Sequence, residues 1–122
     1  MSENFTIGKL EVALRQLNFS IRLLFDGADA VSVHTLVGAA SNILTDLVKV
    51  SAPERSWDKI AREANNLAPS AYFQIMRKPQ NFFKHARDDH KATLEFDPEE
   101  TEALAFWAVM NASELAPLSV EG

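Results

Sequence analysis

The chain has 122 residues, 47% of them hydrophobic and 24% charged, which suits one folded domain with a single core and argues against an intrinsically disordered chain. It contains no cysteine, so a disulfide framework, thiolate-bound metal and a cysteine nucleophile are excluded. A net charge of −5 argues against a surface sheathed in nucleic acid, and no DNA partner is expected. The opening MSENFTIGKLEVAL lacks the basic and apolar regions of an export signal, and no uninterrupted apolar run reaches bilayer length, so the expectation is a cytoplasmic protein without a membrane partner.

Taken in chain order, Leu10, Leu14, Leu17, Ile21 and Leu24 recur at steps of three and four and predict a helix over 9–25. Glu11 and Arg15 stand in the favourable order for an i,i+4 pair on its outer side. DGAD then breaks the helix, with Gly27 free to adopt positive φ and Asp29 placed to cap the next helix. The second helix, 30–50, carries a core stripe of Val33, Val37, Ala40, Leu44, Leu47 and Val48. Gly38, Ala39 and Ala40 would let another helix come close, so this helix is expected to be central or at a dimer interface. SAPERS reads as a linker ending in Ser56, an N-cap for WDKIAREANNLA.

Pro69 suits the first turn of a fourth helix, PSAYFQIMRK. Pro79 disfavours helix at Lys78 and predicts a break or kink before QNFFKHARDD. ATLEF is the one candidate extended piece, too short to found a sheet. In DPEETEALAFWAVMNASEL, Asp97 caps, Pro98 enters the first turn, and Glu99 and Glu100 complement the positive end of the helix dipole. The sum is an all-α, single-domain bundle of five or six helices, with its core over about 9–112 and with 1–8 and 113–122 peripheral.

The charge is unevenly placed. Arg77, Lys78, Lys84, Arg87 and Lys91 fall close together with Asp88 and Asp89, whereas seven acids and no Lys or Arg occur from Glu95 onward. The two segments are expected to face each other; the sharper alternative is a local basic patch for RNA or nucleotide phosphates.

Candidate chemistry is sparse. There is no glycine-rich phosphate loop, no H-E-x-x-H and no G-x-S-x-G. On a helix, Gly38, Ser41 and Thr45 share the face of His34, and two readings stand side by side: a polar notch with a ligand, or an interior histidine with a structural hydrogen bond. In NFFKHARDDH, a helical course would align Asn81, His85, Asp88 and Asp89 on one flank, an imidazole held by a carboxylate as a general base requires. The plainer reading is a helix end whose polar side is solvated while Phe82 and Phe83 enter the core. His34, Ser41, Asn81, His85 and Asp89 are thus the ligand-binding candidates. His34, His85 and Asp89 also form a metal-ligand alternative, although no metal or other cofactor is expected.

Two stretches, HTLVGAASNILTDL and NFFKHARDD followed by ATLEF, resemble a group of small helical bacterial proteins, over roughly Lys9 to Met110. That likeness implies the all-α fold and is silent on activity; the group places an acid directly after Lys-His-Ala, where this chain has Arg87. A looser likeness is to the HEPN superfamily, whose signature of Arg, a polar residue, a spacer and His is met by Asn81 and His85, with Gln80 in the Arg position. The resemblance implies a dimeric ribonuclease or RNA- or nucleotide-binding domain with His85 as base, Asn81 on phosphate and Arg77 or Arg87 as the cation, or a non-catalytic relative, since Gln80 cannot supply that charge. Against it stands a non-enzymatic, self-associating homodimer with a small-ligand pocket.

Overall fold

The computed structural model describes residues 3–86 and 90–115, which form six α-helices and no strand. The sequence readings for Arg87, Asp88 and Asp89, and for the chain beyond Leu115, lie outside the described residues. Helix α1 spans Lys9–Phe25 and α2 spans Ala30–Ser51. A 3-10 turn at Pro53–Arg55 leads to α3, Trp57–Ala64, then α4, Pro69–Met76, α5, Lys78–Lys84, and α6, Glu99–Leu115.

Helix α2 is central because its small and branched apolar side chains are spread round most of its circumference. Ala13 and Leu17 of α1 meet Ala40 and Leu44 of α2 and Ala108 and Ala112 of α6 in one cluster. Val33 and Val37 meet Leu104 and Ala105 in the other. These pairings run α1 antiparallel and α6 parallel to α2. Gly27, at φ +69°, supplies the left-handed turn between α1 and α2, and the Asp29 carboxylate accepts the Ser32 amide at 2.9 Å as the cap. By length and mean hydropathy alone α2 could cross a bilayer, even though the Ser and Thr scattered through it interrupt its apolar run. In this fold half of that stretch is covered by the neighbouring helices.

The α5 region departs from the sequence reading in two ways. The break falls at Arg77 alone and α5 begins at Lys78, with Pro79 in its first turn, where its missing N–H costs nothing. The helix then stops at Lys84, and His85 is extended at φ −129° and ψ 142°. Asn81 and His85 are therefore not successive positions on one helical flank. The basic and acidic segments, expected to face each other, are joined by no ion pair among the described residues; Lys78, Asn81 and Lys84 of α5 point to solvent instead.

Candidate functional site

Short α3 depends on polar contacts, since its own turns bury little apolar surface. Ser56 Oγ accepts the Lys59 amide at 3.2 Å and starts the helix. This puts Asp58, 7% exposed, against α2, α4 and α6. Its Oδ2 accepts the Thr45 hydroxyl at 2.8 Å and the Asn111 amide at 2.7 Å, and its Oδ1 accepts the Tyr72 hydroxyl at 2.8 Å. Asn111 Oδ1 in turn accepts the Trp57 amide at 3.0 Å. Four helices thus converge on one carboxylate. A buried charge is tolerable only when its lone pairs are occupied, and here three donors occupy them. Burial, followed by the Asp58 charge and hydrogen bond, pushes the Tyr72 phenol above its usual range, so it remains a donor.

In front of this network lies a cleft of about 260 Å³ lined by Thr45 and Lys49 of α2, Asp58, Lys59 and Arg62 of α3, and Pro69 and Phe73 of α4, with Pro53 and Ser56 at one end. The Arg77 guanidinium lies over the Phe73 ring, 4.4 Å from its centroid.

A second polar cluster is closed. His34 is 1% exposed, with its Nδ1 2.9 Å from the Thr101 hydroxyl. Phe83 and Phe96 stand edge-on to its ring at centroid distances of 5.8 and 5.1 Å, and Nε2 meets no hydrogen-bond partner among the described residues. Burial lowers the His34 pKa and so favours the neutral ring, while the Glu100 charge opposes the shift. Nearby, Gln80 is 3% exposed and sits on Gly38, its Oε1 accepting the Asn42 amide at 3.0 Å. A Cβ on Gly38 would lie only 2.8 Å from that oxygen, so the bare backbone is what admits Gln80.

The residues singled out from sequence differ in their exposure. His34 is buried between aromatic rings and hydrogen-bonded to α6, Ser41 is buried in α2, and Asn81 and His85 are exposed at α5. His34 and His85 share no hydrogen bond, and among the described residues no three acidic or histidine side chains converge as a metal cage requires. Thr45, read only as a neighbour of His34, serves Asp58 instead. Sequence reasoning passed over Asp58, Thr101, Asn111 and the hydroxyl of Tyr72. The available signal was periodicity: Thr101, Leu104, Ala108 and Asn111 fall on one stripe of α6, so two polar residues stand at core positions and need buried partners.

Comparison with known proteins returns no match to a family model, a curated protein or a solved structure.

Proposed function

We propose that the chain acts by binding rather than by catalysis and pairs with a second copy of itself through the groove between α1 and α6. One observation carries this reading. Ile21, Leu24 and Phe25 of α1 and Ala105, Phe106 and Val109 of α6 line a groove of about 280 Å³, with Phe25 87%, Phe106 56% and Val109 40% exposed. A contiguous patch of this kind, unlike scattered surface hydrophobics, marks an interaction surface. Its margins favour a copy of the same chain. Glu102 of α6 lines the groove, and Arg22, exposed on α1, follows the lining residue Ile21 in the chain. A two-fold axis that sets α1 of one copy on α6 of the other brings opposite charges together on both sides of the apolar centre.

Sedimentation of the full chain tests this. A dimer is expected, with Phe106→Glu reducing it to a folded monomer and Arg22→Glu weakening it in a manner that Glu102→Arg restores. A wild-type monomer at every concentration would refute self-association. The ribonuclease alternative draws on the exposure of Asn81 and His85, with Arg77 as its cation, and Arg77 is engaged on Phe73. Cleavage of RNA that disappears in His85→Ala would replace the binding reading with a catalytic one.

A further inference from the structure

We propose that the cleft between α2, α3 and α4 binds a small organic anion, a flat apolar ring bearing a carboxylate or phosphate, with Phe73 taking the ring and Lys49, Lys59 and Arg62 taking the anionic oxygens. This site is separate from the α1–α6 groove and does not depend on self-association.

Charge is the first support. In a chain of net charge −5, three cations line one small cleft, and none of them has a carboxylate within ion-pair distance among the described residues. Arg62 offers a planar fork of donors and the lysines offer two point charges, the combination that holds an oxyanion from more than one side. Asp58 is the one acid in the lining. Its oxygens are occupied by Thr45, Tyr72 and Asn111, so it is not available to neutralise the lysines by direct pairing.

The remaining wall is apolar and stiff. Pro53 and Pro69 have fixed backbones, and the Phe73 ring is held edge-on to Tyr72 at 4.9 Å and covered by the Arg77 guanidinium. Tyr72 is in turn fixed to Asp58. The cleft walls are therefore set before a ligand arrives, which reduces the entropy lost on binding. A volume of about 260 Å³ admits one ring and its anionic group.

The test is titration of the full chain, monitored by amide NMR, with phenyl phosphate, benzoate, inorganic phosphate, the neutral benzyl alcohol and, separately, a single-stranded RNA. Phenyl phosphate or benzoate is expected to shift the signals of Lys59, Arg62 and Phe73, to bind more tightly than inorganic phosphate or benzyl alcohol, and to weaken as salt is added. Which of the two aromatic anions binds better distinguishes phosphate from carboxylate as the natural group. Lys59→Gln with Arg62→Gln is expected to weaken binding by about tenfold or more, since charge-assisted bonds are among the stronger ones. Lys49→Gln supplies an independent variant should the pair fail to fold. No shift at these residues with either aromatic anion would overturn the proposal, as would affinity unchanged in the glutamine variants. Equal binding of inorganic phosphate without a response at Phe73 would overturn the assignment of the ring, and a response to single-stranded RNA alone would assign the cations to a polymer instead.

Discussion

Tyr72 donates its phenolic hydrogen to Asp58 Oδ1 over 2.8 Å, and through that bond α4 is tied to the carboxylate that also holds α2 and α6. Removing the acceptor leaves three buried donors without a partner, whereas removing one donor leaves the carboxylate two others. Asp58→Ala is therefore expected to destabilise the fold by about 3 kcal/mol and Tyr72→Phe by about 1 kcal/mol. Urea unfolding of each variant and of the pair checks this. The double variant should cost less than the sum, because the Tyr72 hydroxyl loses its value once Asp58 is gone.

Asp58→Asn makes a sharper test of the same network. An amide keeps the volume but replaces one acceptor oxygen with a donor. With its oxygen kept on Thr45 and Asn111, its N–H faces the Tyr72 hydroxyl, which must then accept instead of donate. The expected outcome is a loss clearly smaller than that of Asp58→Ala, because the network is re-formed with one bond reversed, read from the same unfolding curves.

Much of this architecture was legible in the sequence, for a physical reason that also marks the limit. The stripe of Leu10 to Leu24 and the Gly27 and Asp29 signals delimit α1 and the start of α2 because helix faces and caps are local properties, fixed within a turn or two. Asp97 is a second instance: its Oδ1 accepts the Glu99 amide at 2.9 Å just where its position before Pro98 predicts. The Asp58 network was not legible, because its members are separated by 13, 14 and 53 positions in the chain and nothing local distinguishes Asp58 from an ordinary first-turn acid. The α5 end failed differently. A helical flank through Asn81 and His85 required one more turn, and the chain turns extended at His85, with Phe83 and Phe96 meeting each other and the His34 ring.

The capping residue of α6 offers a local prediction. Asp97→Ala removes the acceptor of the Glu99 amide at the positive end of the helix dipole, at an expected cost of about 1 kcal/mol. Asp97→Ser should recover most of it, since a hydroxyl accepts the same bond. Thermal unfolding of the two variants measures the difference.

The pairing of Gly38 with Gln80 predicts a compensating pair. Gly38→Ala puts a carbon 2.8–3.0 Å from Gln80 Oε1, Cδ and Cβ, and because Cβ is near the backbone the side chain cannot simply swing aside. The substitution is expected to cost about 1–3 kcal/mol even though alanine favours helix. Gln80→Ala alone should also destabilise, by leaving Asn42 without its acceptor and a void over Gly38. In the double variant the new methyl enters the vacated space, so its loss should be smaller than the two single losses added. A sum that is simply additive would show that α5 does not rest on the α2 backbone at this point.

His34 makes stability depend on pH. Burial holds its pKa below the ordinary 6.5, with Glu100 opposing, so the native state binds a proton more weakly than the unfolded chain does. Above pH 6.5 both states carry a neutral ring and its contribution is complete; as the pH falls below 6.5 the unfolded chain takes up a proton first, and stability declines until the depressed native pKa is passed. The slope from one such group is at most about 1.4 kcal/mol per pH unit. Asp29 titrates in a separate, lower window: its hydrogen bonds from the Ser32 amide and hydroxyl hold its pKa below 3.8, so its contribution is lost only as the pH falls beneath that value. Urea midpoints measured between about pH 8 and pH 5 should therefore fall on the acid side of neutrality in the wild type, and His34→Gln should flatten that part of the profile while lowering the plateau. Because Nε2 faces no partner among the described residues and both Phe83 of α5 and Phe96 pack on the ring, solvating a protonated His34 requires α5 or the Phe96 segment to move off it. Amide exchange at Asn81–Lys84 should accordingly accelerate over the same pH interval, ahead of exchange in α1, and uniform acceleration throughout the bundle would show that the histidine acts on global unfolding alone.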